Sequence, residues 1–153
     1  MAKDKEIVDD LDIRIISQLR KDGRMSFRKL AEKLGIATGT AQARIKRMED
    51  LGIIKGYHVV VDFSKLGYNI TAVVGAIGNY ENIMKLEAKL VKKKNVIGVY
   101  AITGEYDLLV AAKFKEISEL NEFIKETFTE SGIEKTVTFL VLQTVKEERG
   151  LFE

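Results

Sequence analysis

Hydrogen-bonding and cationic side chains are concentrated in residues 38–47 of the sequence. The set consists of Thr38, Thr40, Gln42, Arg44, Lys46 and Arg47. Glutamine can form two hydrogen bonds to adenine and arginine can form two to guanine, while lysine and threonine can hold phosphate groups. Side chains of these types at this density indicate recognition of a nucleic acid.

Side chains that could support catalysis are few. His58 is the single histidine, and the absence of cysteine excludes a catalytic thiol and a cysteine-based zinc site. Glu105 and Asp107 are two residues apart and could imitate a catalytic carboxylate pair, but nothing in the sequence places them around a cleft. We therefore predict a protein that is not an enzyme and that holds neither a cofactor nor a metal ion.

The charge of the 153 residues is unevenly distributed along the chain. The net charge is +2, but residues 1–56 carry 13 basic and 9 acidic residues, and residues 20–56 carry 10 basic and 4 acidic ones. A solvated charged face would also explain such a cluster. No apolar run approaches the roughly 20 residues that cross a membrane, and the first ten residues lack a hydrophobic signal core, so we expect a cytoplasmic protein.

Three amphipathic helices are predicted within the first 56 residues. Their apolar stripes are Leu11, Ile15, Ile16 and Leu19; Phe27, Leu30, Ala31 and Leu34; and Ala41, Ile45, Met48 and Leu51. Ser26 and Thr38 are the expected caps of the second and third helices, and Gly35 is expected to end the second. A tight turn that contains glycine between two helices is the signature of a helix-turn-helix domain.

The outward face of the third helix is the predicted DNA-binding surface. Together with a residue of the second helix, the predicted contacts are Arg28, Thr38, Gly39, Thr40, Gln42, Ala43, Arg44, Lys46 and Arg47. Such a helix can enter the major groove of double-stranded DNA, which is about 12 Å wide. A three-helix bundle with a polar exterior that never touches DNA remains the alternative.

The pattern beyond residue 56 predicts an α+β protein with a second domain. In residues 57–63 the side chains Tyr57, Val59, Val61 and Phe63 alternate with His58, Val60 and Asp62. This period of two predicts a linker strand, which we expect over residues 57–68. Strands over residues 71–77, 96–103, 108–114 and 136–145 alternate with helices over residues 81–93 and 117–129. This βαββαβ order is ferredoxin-like. The predicted domains are residues 1–56, a winged-type helix-turn-helix domain, and residues 69–153.

The last predicted strand is apolar on both faces. Val137, Phe139 and Val141 share one face, and Leu140 and Leu142 share the other. Two helices can cover only one face of a four-stranded sheet, so a second copy of the sheet is the simplest cover for the other, and a homodimer is predicted. The alternative is that residues 57–63 or the chain's own tail cover this face.

Taken together, these motifs resemble the Lrp/AsnC family of prokaryotic transcription regulators, also called feast/famine regulators. The likeness rests on the Leu11-Asp12 opening, Asp22-Gly23-Arg24, the Gly52-Ile53-Ile54 end of the third helix, TGEYDLLV at residues 103–110 and TVTFLVLQTVKE at residues 136–147. The resemblance implies DNA binding by the N-terminal domain and sensing of small molecules, often amino acids, by the C-terminal domain. It also implies dimers that assemble further into octamers or other multiples.

The resemblance also implies an effector site between C-terminal domains of neighbouring dimers. The matching positions are Gly104, Tyr106, Asp107, Thr136 and Thr138. Glycine permits close backbone approach, a carboxylate can accept hydrogen bonds from an ammonium group, and threonine can donate to a carboxylate. Without the resemblance, an ordinary hairpin loop would be the favoured interpretation of residues 104–107.

The sequence therefore predicts a sequence-specific DNA-binding transcription regulator that an amino acid modulates. Two rival hypotheses stay open. One is a small-molecule-binding ferredoxin-like sensor or enzyme without specific DNA binding, and the other is a non-specific DNA-architectural protein.

Overall fold

The structure, a computed structural model, describes residues 7–147 and divides them into two compact units. The N-terminal unit comprises the described residues up to Val60, and the C-terminal unit comprises Val61–Glu147. Each unit has its own hydrophobic core.

Three helices form the N-terminal unit: α1 (Asp10–Lys21), α2 (Phe27–Leu34) and α3 (Thr38–Asp50). The side chain of Asp9 caps α1 by accepting a hydrogen bond from the backbone N–H of Asp12, and the side chain of Asp12 accepts one in return. The apolar stripes of the three helices meet in a core that includes Ile15, Leu30 and Ile45. Burial of these stripes stabilises three helices that are each short for independent folding.

The C-terminal unit has the predicted βαββαβ order. Its elements are β1 (Ile70–Ile77), α4 (Tyr80–Leu90), β2 (Val96–Ala101), β3 (Leu108–Phe114), α5 (Ile117–Thr127) and β4 (Lys135–Leu140). The strands form one antiparallel sheet in the order β2-β3-β1-β4. Residues of α4 and α5, among them Leu86 and Phe123, pack with Val74 and Val110 in the core on one face of this sheet.

The opposite face of the sheet, which we call the open face, has no helix of this unit packed on it. It carries Val73, Gly75, Tyr100, Leu109, Ala111, Lys113, Val137 and Phe139, as the strand register requires. Tyr100 and Phe139 expose 59% and 48% of their surface. Lys113 is nearly buried there, and its ammonium group pairs with Glu147 at 3.0 Å and donates to the Thr71 hydroxyl at 3.3 Å.

Two strand predictions are wrong. Residues 57–62 have no regular secondary structure, and Ser64–Leu66 forms a short 3-10 helix, so the expected linker strand over residues 57–68 is absent from the described chain. Alternation of side chains favours a strand, but a strand forms only where another pairs with it. The last strand was expected over residues 136–145 but ends at Leu140. Beyond it, the N–H of Val141 donates one hydrogen bond to the carbonyl of Thr71, and the pairing with β1 then stops.

The aromatic ring of Tyr106 lies on the open face, directly over Gly75. A β-carbon at residue 75 would stand 2.7 Å from Cδ1 of this ring, and the ring also contacts Phe139 edge to face with centroids 6.4 Å apart. Glycine at this central-strand position therefore permits the tyrosine to pack against the sheet.

We expect Gly75→Ala to lower the free energy of unfolding by about 1–3 kcal/mol, because the new methyl group displaces the Tyr106 ring. In a Tyr106→Ala background the same substitution should cost little, since the obstructing ring is gone. Urea unfolding of the four chains in this double-mutant cycle measures the difference. Equal costs in both backgrounds would show that the contact does not constrain residue 75.

The two sides of α4 provide a matched test of the core. Leu86→Ala should cost about 2–5 kcal/mol, because Leu86 is fully buried between the helix and the sheet. Met84→Ala should change the free energy of unfolding by less than about 0.5 kcal/mol, because half of the Met84 surface is exposed. Similar costs for the two substitutions, measured by urea unfolding, would contradict the assignment of the inner face.

Candidate nucleic-acid interface and effector turn

The turn between α2 and α3 is short and is set by Gly35. This residue has a left-handed conformation, with φ of 68°, and its N–H donates to the carbonyl of Ala31. At the start of α2, the Ser26 hydroxyl accepts a hydrogen bond from the N–H of Lys29, as predicted. The prediction that Thr38 caps α3 is wrong: Ala37 occupies the cap position and Thr38 is the first helical residue.

The structure places most of the predicted DNA contacts on the exposed side of α3. Its buried stripe is formed by Ala41, Ile45 and Met48. The predicted contacts Thr38, Gly39, Thr40, Gln42, Ala43 and Lys46 are all exposed. The Lys46 ammonium lies 3.5 Å from the exposed Asp50 carboxylate, and an exposed pair of this kind contributes little stability.

Arg28 lies on α2 rather than on α3. Its guanidinium is exposed and is 3.1 Å from Glu32, one turn further along the same helix. The α2–α3 turn separates Arg28 from the exposed side of α3 in sequence, but both belong to the same compact unit.

Arg44 and Arg47 differ from the other predicted contacts because they pair with carboxylates of α1 and its cap. The Arg44 guanidinium donates to Asp9 and, at 3.2 Å, to Oδ1 of Asp12. Arg47 donates to Oδ2 of Asp12 at 2.5 Å and to the carbonyl of Ile7 at 3.1 Å. Asp12 has no exposed surface, whereas the arginine side chains are 30% and 45% exposed.

The hydrogen bond from Arg44 to Asp9 is the largest electrostatic effect on the Asp9 carboxylate. It lowers the pKa of Asp9 from 3.8 to about 2, and it also raises the pKa of Arg44. Asp9 and Arg44 are therefore both charged at neutral pH, and their pairing stabilises the charged form of each.

The pairing of the acidic residues at the start of α1 with α3 was not predicted from the sequence. A signal was present, since Asp12 precedes Ile15, Ile16 and Leu19 on the same helical stripe. A carboxylate on a buried stripe requires partners, because burying an unpaired charge is costly.

The predicted effector residues gather near the end of β1 but lie on two faces of the sheet. Tyr106 is on the open face, whereas Thr136 and Thr138 pair in register with Ala76 and Val74, whose side chains are in the helix-covered core. Asp107 is at the sheet end, where its Oδ2 accepts a hydrogen bond from the N–H of Gly78 at 3.0 Å.

The turn itself is open around its glycine. Gly104 has φ of 120°, a conformation that side-chain-bearing residues rarely adopt, and no atom of another residue would crowd a β-carbon there. The space next to Gly104 is therefore accessible to a ligand or to another chain.

Neither a metal site nor a membrane-spanning helix is found in residues 7–147. No three His, Asp or Glu side chains among these residues stand close enough together to hold a metal ion. None of the described helices combines the length and the apolar composition needed to cross a membrane.

Comparison with known sequences gives two family matches. Residues 8–55 match the winged helix-turn-helix DNA-binding family, and residues 71–151 match the Lrp/AsnC ligand binding domain. An uncharacterized HTH-type transcriptional regulator of Pyrococcus furiosus is 43% identical over 141 residues, which cover 92% of this chain and 95% of that protein.

Solved structures show the same fold. AsnC of E. coli is 26% identical and superposes with a TM-score of 0.85; the aligned region covers 93% of this chain and 97% of AsnC. The complex of a transcriptional regulator from Neisseria meningitidis with L-Met is 23% identical, with a TM-score of 0.87 over 94% of this chain and 96% of that one. The predicted family and fold class are thereby confirmed.

The matching relatives are transcriptional regulators rather than enzymes, in agreement with the prediction from the sequence. With an N-terminal helix-turn-helix unit and a C-terminal ligand-binding unit, the chain belongs to the Lrp/AsnC family of transcriptional regulators.

Proposed function

We propose that the chain regulates transcription by sequence-specific binding to double-stranded DNA, with α3 in the major groove. The exposed side of α3 carries this proposal, because Gln42 and Lys46 stand there beside the small residues Gly39 and Ala43. Small residues permit close approach to base edges, and Gln42 then reads a base while Lys46 and the threonines near the helix start hold phosphates. A regulator that binds the chromosome of a prokaryote acts in the cytoplasm.

We further propose that the chain functions as a homodimer paired through the open face, and that dimers assemble further into octamers. The half-exposed Tyr100 and Phe139 support pairing, since covering them removes apolar surface from water. In a two-fold dimer, two α3 helices would enter successive grooves about 34–36 Å apart, or a multiple of that distance.

The proposed effector is an amino acid bound near Gly104, Tyr106, Asp107, Thr136 and Thr138. The match to a ligand binding domain supports a small-molecule effector, and the fold neighbour solved with L-Met supports an amino acid. Because Tyr106 and the threonines are on opposite faces of the sheet, a ligand of this size contacts the whole set only if neighbouring chains contribute different members. A site between chains couples effector binding to assembly.

Non-specific DNA packaging is the second candidate function. The exposed side of α3 offers one glutamine and two small residues for base contacts, which also suits binding with little base preference. Selection from random-sequence DNA separates the two: specific regulation enriches a palindromic motif, whereas packaging enriches none and weakens steeply as salt rises.

Substitutions on α3 test the DNA-binding surface. Lys46→Ala should weaken binding to all sequences and reduce the slope of log affinity against log salt by about 0.9 for each bound chain, because each chain loses one phosphate contact. Gln42→Ala should instead change the preferred motif. Lys89→Ala on the exposed side of α4 removes the same charge from the other unit and serves as the control. If Lys46→Ala and Gln42→Ala behave like Lys89→Ala, α3 does not enter the groove.

The effector proposal is tested by Asp107→Asn, measured as the change in DNA affinity caused by each amino acid. Asparagine retains an oxygen that accepts the Gly78 N–H but loses the charge that an ammonium group requires. We expect at least about a tenfold loss of effector sensitivity with unchanged DNA affinity in effector-free protein. Glu105→Gln in the same turn is the matched control. Equal effector sensitivity in wild type and Asp107→Asn would remove Asp107 from the proposed site.

A further inference from the structure

We propose that Asp12 is a positioning residue for the recognition helix, and that Arg44 and Arg47 act chiefly by pairing with Asp12, and Arg44 also with Asp9, rather than as independent DNA contacts. This inference rests on the proposed function of α3. It gives Arg44 and Arg47 a role different from that of Lys46, although the three basic residues of α3 look equivalent in the sequence.

The hydrogen bonds of Asp12 show how completely its carboxylate is used. Oδ1 accepts from Arg44 at 3.2 Å, and Oδ2 accepts from Arg47 at 2.5 Å and from the backbone N–H of Asp9 at 3.1 Å. The carboxylate has no exposed surface, so its hydrogen bonds come from these protein donors and not from bulk water. Loss of one arginine therefore leaves a buried charge with an incomplete set of partners.

The spacing of the two arginines explains why such contacts would fix orientation. Arg44 and Arg47 are three residues apart, so Asp12 holds α3 at two points on adjacent turns. The apolar contacts of Ala41, Ile45 and Met48 stabilise α3 against the unit but impose weak directional preference. Directional hydrogen bonds at two points limit rotation of α3 about its axis, and that rotation determines where Gln42 and Lys46 point.

Charge pairing also argues against Arg44 and Arg47 as ordinary phosphate contacts. Each guanidinium is already opposite a carboxylate in the free protein: Arg44 pairs with Asp9 and Asp12, and Arg47 pairs with Asp12. A cation that is neutralised inside the domain releases few additional counterions from DNA, and it contributes little to the salt dependence of binding.

Asp12→Asn provides a decisive test because loss of its negative charge and loss of its positioning role should change DNA affinity in opposite directions. Removal of a negative charge should strengthen binding to a polyanion if only long-range electrostatics matters. If Asp12 positions α3, the same substitution should weaken binding to the selected motif by about tenfold or more and flatten its preference over random DNA. Asp10→Asn, an exposed position of α1 with the same charge change, is the matched control.

The full-length variants are compared at one temperature at which circular dichroism shows each of them folded. Weaker, less selective binding by Asp12→Asn but not by Asp10→Asn supports the proposal. Equal or tighter binding by both variants overturns it. If wild type itself shows no salt-dependent DNA affinity, both the proposed function and the positioning role of Asp12 fail. This outcome differs from the one in which wild type binds DNA and both variants bind equally well or more tightly.

Arg47→Gln supplies a second test that does not depend on the folding of Asp12→Asn. We expect a lower unfolding temperature and weaker binding with the wild-type salt slope, and no further loss of affinity when Asp12→Asn is added. A salt slope reduced by about 0.9 for each bound chain, as for Lys46→Ala, with an unchanged unfolding temperature would make Arg47 a phosphate contact and overturn its positioning role.

Discussion

A four-stranded sheet has two faces, and the two helices of the C-terminal unit can cover only one of them. Val74 and Val110 are buried beneath α4 and α5, while Tyr100 and Phe139 remain about half exposed on the open face. Because Tyr106 covers only part of that face within the unit, the sheet offers a surface for association. The same face includes the nearly buried Lys113 with its carboxylate partner, so it is not uniformly apolar.

In the N-terminal unit, a directional polar contact supplements a small apolar core. The stripes of α1, α2 and α3 bring the helices together around Ile15, Leu30 and Ile45 through apolar contacts that are not directional. The Asp12 carboxylate adds directional contacts, since its two oxygens accept from residues on adjacent turns of α3. Specificity of orientation is an attested use of buried polar groups, although they add little net stability.

Several features of the chain were predictable because they depend on local chemistry. Helical spacing and the residues Ser26 and Gly35 predicted α1 and α2 closely, and the order of strands and helices predicted the ferredoxin-like fold. Alternating side chains at residues 57–63 predicted a strand that the described chain lacks. Such a pattern shows that the two sides of a segment differ, but it does not show whether another strand is available to pair with it. The end of β4 was misplaced for the same reason.

The periodicity of the sequence thus indicated the two-unit organisation and the exposed side of α3, and the resemblance of its motifs indicated the family. Only the tertiary structure decided which basic residues of α3 are directed away from the unit: Lys46 and Arg47 are neighbours in sequence, yet Lys46 is near Asp50 of its own helix while Arg47 is held by Asp12 of α1. Likewise, the strand register assigns Thr136 and Thr138 to the helix-covered face, whereas Tyr106 packs over Gly75 on the open face. A sequence specifies the chemical type of each side chain, whereas its partner depends on which distant carboxylate or strand folding brings within about 3 Å.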